Sequence, residues 1–415
     1  MSTSKDSLDN RPHRFPGETS RPQEELALDT RAIHSGEAEH RVEGAVAPPI
    51  FQSSTFEVGG PRAQSTEVRY IRLHNTPNHR MLHAKLAALA HGETALVTSS
   101  GMAAISAALL SVLQQGDRLL APRGLYGGTH GLLTQTFPRF GISVDFIDSQ
   151  APETWEAALH PTTRAIYVES ISNPLMEVAR LDEVSRFAQG HGLVSLIDNT
   201  FLSPCLFRPL DLGYDLELHS ATKILNGHSD VVAGVVIGSQ QQVDATRAIL
   251  DHLGGCLDPH AAVLLHRGIK TLGVRARQQS LNALALARAL EEHPAVQRVL
   301  YPGLEDHRDH RRAAELFDSF GTMLSFEPRE EVDIQAFLGA LRLAIVAPSL
   351  GGVETLVTQP AATSHKGLSP QEREAAGISD SMVRVSVGLE DSADLVTDFS
   401  AALHSATMAL VTGED

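Results

Sequence analysis

From Met81 onward, short apolar runs alternate with stretches of helical period, and this alternation restricts the chain more than any other feature. "MLHAKLAALAHG" places Leu82, Leu86 and Leu89 on one helical face, with Gly92 as a stop signal. "ETALVT" reads as a short strand. "SSGMAAISAALLSVL" reads as a helix opened by hydroxyl caps. "DRLLAP", "SVDFID", "RAIYVES" and "LVSLIDN" are further apolar strands, with helical patterns such as "LDEVSRFAQGHG" between them. The pattern predicts an α/β fold built on a mainly parallel, doubly wound sheet. Ligands of such sheets bind beyond the carboxyl ends of the strands.

The chain has 415 residues, more than one ordinary core holds, so two domains are expected. Residues 1–25 are polar and Pro-bearing and read as a disordered tail. Residues 26–75 have weak periodicity and suit an extended arm lying on something else, such as another subunit. The alternating domain covers 76–259. Near "GGCLDPHAAVLLHRGIKTL" the texture changes, and "RARQQSLNALALARALEEH", "GTMLSFEP", "DIQAFLGALRL" and "MVRVSVGLE" predict a smaller α+β domain over 260–415.

Charge and motif content remove several function classes. With 34 basic against 50 acidic side chains, the net charge of -16 repels a polyanion such as DNA. The two cysteines, Cys205 and Cys256, cannot build a disulfide framework, and there is no Cys-x-x-Cys pair. No signal peptide or membrane-length apolar run is visible, so a cytoplasmic location is expected. The phosphate loop of nucleoside triphosphatases, the dinucleotide Gly-x-Gly-x-x-Gly and His-Glu-x-x-His are all missing. "NGHSDV" has Val231 where a nucleophile elbow needs glycine. "HRDHRR", from His307, reads as a solvated charge run, and no metal site is expected.

Four local features converge on one chemistry. "SLIDNTF" ends an apolar strand with Asp198, at the sheet edge where sites are built; alone it would read as a turn cap. "TSSGMAA" opens a helix at Ser99, Ser100 and Gly101, where free N–H groups suit a phosphate. "LYGGTHG" sets Tyr126 beside flexible backbone, so that its ring can cover a flat ligand. Lys223 stands in "HSATKILNGHSD" between Thr222 and an apolar Ile-Leu pair, with Ser220 close by. Burying an amine lowers its pKa and frees its lone pair. A phosphate cradle, a stacking aromatic, an acid and an amine are what pyridoxal phosphate requires.

These residues resemble the Cys/Met-metabolism family of pyridoxal-phosphate enzymes. The resemblance runs from about Thr30 to the end through "PPIFQSSTF", "YIRLHNTPN", "SSGMAAI", "LYGGTHG", "ESISNPL", "LIDNTF", "HSATKILNGHSD", "LLHRGIKTL", "PSLGGVETL", "PAATSH" and "VRVSVGLE". It implies fold type I, pyridoxal 5'-phosphate as cofactor, an amino-acid substrate and a homotetramer with shared active sites. It also implies roles by position. Lys223 is the Schiff-base lysine, Asp198 the partner of the pyridine nitrogen, and Tyr126 the stacking ring that helps move protons. Gly101, Met102, Ser220 and Thr222 bind the phosphate. Tyr70 and Arg72 reach the phosphate in a neighbouring subunit, and Asn173 lies near the phenolic oxygen. Arg384, with Ser349, clamps the substrate carboxylate.

The implied reaction is elimination at the C–S bond of cystathionine-like amino acids, as in cystathionine γ-lyases. The alternatives are γ-replacement on an O-acylhomoserine by cysteine, as in cystathionine γ-synthases, and β-elimination. A cofactor-free structural homologue disagrees with the joint presence of Lys223, Asp198 and Arg384. Three positions depart from cystathionine-handling members: Arg69 and Pro348 stand where acids are common, and Gly131 where Arg is common. Gly128 departs from the cysteine usual in methionine γ-lyases.

Overall fold

The arm begins as a helix rather than as extended chain. Helix α1 (Leu28–His34) buries Arg31 and Ala32, and the Arg31 guanidinium donates to the Ala88 carbonyl at 2.7 Å. One long-range bond of this kind fixes a short helix whose own apolar period is too weak to reveal it. The computed structural model describes residues 26–37, 42–59, 68–364, 366–367 and 369–412. The tail expected over 1–25 lies outside them.

Helix α2 (Pro77–Ala90) starts on a proline, whose missing N–H costs nothing in a first turn, and buries Leu82, Leu86 and Leu89 completely. Its last residue, Ala90, lies two positions before the stop signal at Gly92. His91 takes the left-handed conformation (φ 60°), and its N–H returns to the Ala87 carbonyl. Then follow β1 (Thr94–Thr98), α3 (Gly101–Val112), β2 (Arg118–Pro122), α4 (Gly127–Gly131), β3 (Ser143–Ile147) and β4 (Thr163–Glu169). The layer is completed by α5 (Leu181–His191), β5 (Val194–Asp198), α6 (Ser203–Leu206), β6 (Leu216–Ser220), β7 (Gly234–Gly238) and α7 (Gln240–Leu253). Ser100 caps α3 as expected, its Oγ accepting from the Ala103 N–H at 3.1 Å.

The seven strands lie in the order β1-β7-β6-β5-β4-β2-β3. All are parallel except β7, which runs antiparallel between β1 and β6. The carboxyl ends of β1, β4, β5 and β6 therefore bring Thr98, Glu169, Asp198 and Ser220 to one edge. The antiparallel β7 begins at that edge with Gly234, paired to both Thr98 and Ser220. A Cβ at Gly234 would lie 2.1 Å from the Ser100 carbonyl oxygen, so only glycine lets the α3 cap pass there.

Two long helices, α8 (Pro259–Ile269) and α9 (Leu272–Glu291), lead to a second sheet. It comprises β8 (Val296–Leu300), β9 (Met323–Pro328), β10 (Ile345–Val346), β11 (Leu356–Thr358) and β12 (Val383–Ser386), in the order β10-β11-β12-β9-β8. Helices α10 (His310–Leu316), α11 (Ile334–Ala340), α12 (Pro370–Ala375) and α13 (Ser392–Thr412) accompany it. Helix α9 belongs to both cores. Leu272 and Ala276 pack with the seven-stranded layer, and Ala283, Leu286 and Leu290 pack with the five-stranded one.

The charge run at His307 is only partly solvated. Asp309 is buried and accepts from the Val178 N–H at 3.0 Å, while Arg312 reaches Gln150 at 2.8 Å. The run docks the second sheet's neighbourhood onto the loop after β4. Among the described residues, no helix is long and apolar enough to cross a membrane.

Candidate functional site

Past the end of β6 the chain turns sharply, and the turn is held from three sides. Ile224 and Leu225 are buried. Arg275 of α9 donates to the Ile224 carbonyl at 2.8 Å and to the Gly268 carbonyl at the end of α8, also at 2.8 Å. Gly351 (φ 76°) presses on the other side, where a Cβ would lie 2.6 Å from the Ile224 nitrogen. Lys223, half-buried, is thereby aimed at Ser349, to whose Oγ its Nζ donates at 2.7 Å. Burial pushes the Lys223 amine down to about 8, and the charge of Arg384 pushes the same way.

Arg384, on β12, is buried with mostly neutral company. Its guanidinium donates to Asn173 Oδ1 at 3.1 Å and to the Ser349 carbonyl at 3.0 Å. Its Nε is buried without a partner, and no carboxylate of the described residues forms an ion pair with it. Burial lowers this guanidinium to about 10. Asp198 is the reverse case, a buried acid without an ion-pair partner among the described residues. Its Oδ1 accepts from the Thr200 N–H at 3.0 Å and the Thr200 hydroxyl at 2.5 Å, and Oδ2 accepts from the Tyr167 hydroxyl at 3.4 Å. Burial raises the Asp198 carboxyl, and the two Thr200 bonds work against that. The site thus holds an under-paired cation, an under-paired acid and a depressed amine.

The helix start forms the floor. A Cβ at Gly101 would lie 2.8 Å from the Ser220 Cβ, so the α3 N-terminus and the end of β6 meet with no room for a side chain. A Cβ at Gly128 would lie 2.6 Å from the Tyr126 ring and 3.0 Å from the Met102 sulfur. Tyr126, Met102 and the first turn of α4 are therefore neighbours, and glycine at 128 gives the ring its place. Tyr126 is 48% exposed, as a lid on an open site would be. Thr222 differs from expectation in one respect. Its hydroxyl donates to the Ala233 carbonyl at 3.2 Å and accepts from the Ala233 N–H at 3.0 Å, which leaves one lone pair for any ligand.

Tyr70 and Arg72 make their contacts elsewhere. Tyr70 bridges to Thr55, and Arg72 donates to the Asp251 carbonyl at 2.6 Å. Neither forms a hydrogen bond or ion pair with Lys223, Asp198 or Arg384. Sequence reasoning missed Glu169, whose Oε1 accepts from the Tyr126 N–H at 2.7 Å. Burial raises its carboxyl to about 8, and the Asp198 charge adds to the rise. Its position at the end of β4 was the available signal. Tyr167 and Thr200, which hold Asp198, were missed too.

A family model described as Cys/Met metabolism PLP-dependent enzyme matches residues 29–404. The chain is 40% identical over 378 residues to the cystathionine γ-lyase of Bacillus subtilis, covering 91% of this chain and 99% of that one. It is 38% identical over 392 residues to the L-methionine γ-lyase of Treponema denticola, covering 92% and 97%. Among solved structures it resembles the cystathionine γ-synthase of Xanthomonas oryzae pv. oryzae in complex with aminoacrylate and cysteine. There the TM-score is 0.88 at 38% identity, over 92% of this chain and 99% of that one. The geometry fits pyridoxal phosphate: a floor at Gly101 that a Cβ would fill, an acid at Asp198 without a cation, and a Lys223 amine depressed by burial.

Proposed function

Because the chain belongs to the Cys/Met metabolism family of PLP-dependent enzymes, we propose that it eliminates the Cγ–S bond of cystathionine-like amino acids, as a cystathionine γ-lyase does. At the coarser level it is a pyridoxal-phosphate enzyme acting on sulfur amino acids. The finer reading is carried by Lys223: a half-buried amine, lowered to about 8, whose hydrogen bond goes to the Ser349 hydroxyl. A γ-elimination needs protons moved at both Cα and Cβ, and a base of this pKa can take and return them near neutral pH.

The geometry supports a set of roles. The Arg384 fork, lacking a carboxylate of its own, binds the substrate α-carboxylate, and Asn173 and the Ser349 carbonyl set its plane. Ser349 accepts from Lys223 and holds Nζ over the Cα proton. Pyridoxal phosphate, when bound, draws in the electron pair released at Cα. Asp198 would face its ring nitrogen, Tyr126 would cover its ring, and Gly101, Met102, Ser220 and Thr222 would hold its phosphate. The products of cystathionine and water are cysteine, ammonia and 2-oxobutanoate. Tyr70 and Arg72 serve the phosphate of a neighbouring subunit in a cytoplasmic homotetramer, in keeping with their bonds to Thr55 and Asp251 rather than to Lys223.

A second reading, γ-replacement on an O-acylhomoserine, is favoured by Arg69. It is half-buried beside Tyr70, and its Nε is shielded from solvent without a partner among the described residues. A cation there suits the anionic tail of a succinyl ester. Incubation with cystathionine alone separates the readings. Release of 2-oxobutanoate is expected. Pyruvate would assign β-elimination instead. No oxo acid, together with cystathionine formed from O-succinylhomoserine and cysteine, would assign the synthase.

A further inference from the structure

Strand β6 runs inside the seven-stranded sheet, covered on both faces, where a near-continuous apolar run is expected. Its sequence is Leu-Glu-Leu-His-Ser, and Glu217 and His219 are 0% and 1% exposed. Two residues apart on a strand, they share one face. His219 Nε2 lies 2.8 Å from Glu217 Oε1. Asn199 Nδ2 donates to the same oxygen at 2.9 Å, and to the Phe207 carbonyl at 2.9 Å. The strands on either side offer only apolar neighbours: Ile197 beside Glu217 on β5, and Ile237 and Val235 beside Glu217 and His219 on β7. Packing alone gives no reason for the pair, because an apolar pair of similar volume is often as stable or more so.

The neighbouring strand supplies a reason. Asp198 pairs in register with Leu218, the residue between Glu217 and His219. Asn199, which follows it, holds Glu217. Thr200 then accepts from the Ser220 N–H at 2.8 Å and donates to Asp198 at 2.5 Å. Asp198 is thus tied to β6 on both sides of His219. Around Asp198 itself stand Tyr167, Thr200 and, from β4, the carboxyl of Glu169, whose charge opposes its own. His219, next along β6 from the Leu218 that pairs with Asp198, acts in the other direction and favours the Asp198 carboxylate.

We propose that Glu217 and His219 form a buried, hydrogen-bonded carboxyl–imidazole pair that, from the opposite face of β6, holds Asp198 as the carboxylate that receives the cofactor's ring nitrogen. His219 is a positioning residue that acts through Asp198, and Glu217, bonded to its Nε2, orients it. The inference rests on the reading of Asp198 given above.

The test titrates apoenzyme with pyridoxal phosphate, follows visible absorbance, and measures denaturant unfolding of the same apoenzyme. Four variants are compared: Glu217→Leu with His219→Leu, Glu217→Gln alone, Glu217→Asp alone, and Asp198→Ala. The double variant should unfold at or above the wild-type midpoint yet bind the cofactor at least about tenfold more weakly, a 1.4 kcal/mol effect. Glu217→Gln should weaken binding likewise, and Glu217→Asp should restore most of it. If Asp198→Ala weakens binding but the double variant binds as wild type, the pair is inert and the inference fails. If Asp198→Ala itself binds as wild type, the reading of Asp198 fails first and takes the inference with it. Should the double variant not fold, Glu217→Gln decides: wild-type affinity overturns the proposal.

Discussion

Two lysines of this chain are taken out of water, and burial lowers both to about 8, yet their surroundings make them opposites. Lys85, on α2, is 0% exposed. Its three donors are all used: the Ala32 carbonyl at 2.6 Å, the Ile33 carbonyl at 2.9 Å and Glu37 at 3.1 Å. Glu37 also meets Lys270 at 2.9 Å and His266 at 3.0 Å, so one carboxylate gathers the arm, α2 and α8 into a knot. Around Lys85, Glu37 pulls back against burial; around Lys223, Arg384 pushes with it. The first amine is saturated and acts as a strut. The second has one hydroxyl for company and keeps its lone pair available. A depressed pKa alone does not mark a reactive lysine; unfilled donor capacity beside it does.

The strongest way to break this contrast is to exchange the roles. Lys223→Ala should lower kcat/KM by at least about ten-thousand-fold, the scale of losing a general base, and abolish the visible cofactor band. Lys85→Met should leave the band in place. A borohydride-reducible adduct surviving in Lys223→Ala would show that another lysine is used.

Arg384→Gln sharpens the contrast from the other side. It removes both the carboxylate fork and the charge that depresses Lys223. We expect about a hundredfold fall in kcat/KM, equivalent to about 3 kcal/mol, with much of it in KM. The acid limb of the pH–rate profile, where the base loses its proton, should move to higher pH. A limb that stays in place would show that burial alone sets the Lys223 amine.

Unfolding measures the strut. Lys85→Met leaves Glu37 to Lys270 and His266 and frees two carbonyls, which should cost about 2–3 kcal/mol of stability. Lys223→Met should cost less or nothing, since its amine has little to lose. Equal losses in the two variants would erase the distinction.

The smallest effect concerns pH. In apoenzyme burial lowers both amines, so the folded chain releases their protons at a lower pH than the unfolded chain does. Below about pH 8 the folded chain must carry both ammonium groups and bears the full cost. Between about 8 and 10.5 the unfolded chain still binds protons that the folded chain has released, so stability rises with pH. Lys223→Met should remove about 1–2 kcal/mol of that rise between pH 8 and 10, judged by denaturant midpoints. A rise unchanged by this substitution would place the depressed amine elsewhere.

What the sequence disclosed follows the reach of each interaction. Strand β5 with Asp198 at its end, the Ser100 cap and the turn at Lys223 are local patterns, and all were legible. The partners were not. Lys223 and Ser349 are 126 residues apart, and Arg384 and Asn173 are 211 apart, so no periodicity joins them; the resemblance supplied Ser349, Arg384 and Asn173. Lys85 sits in a helix that reads as amphipathic, with nothing nearby to say that Glu37 waits for it from the arm. Glu217 and His219 made β6 look too polar for an inner strand, which is why "LELHS" was not recognised as one. Helix α1 was hidden for the same reason as Lys85: its anchors lie on other elements.

Helix α9 threads both cores, and its Arg275 grips the turn behind Lys223. Such a shared rod leaves no hinge at which the two layers could swing apart as rigid bodies. Opening them would mean bending a continuous helix and dragging the Lys223 turn out of line. Access to the site must then come from the loops at its mouth, with Tyr126 among them. The small sheet also meets the lysine directly, through Ser349 and Arg384, so that a cavity cut there is felt at the Lys223 turn from the front as well as through the rod behind it.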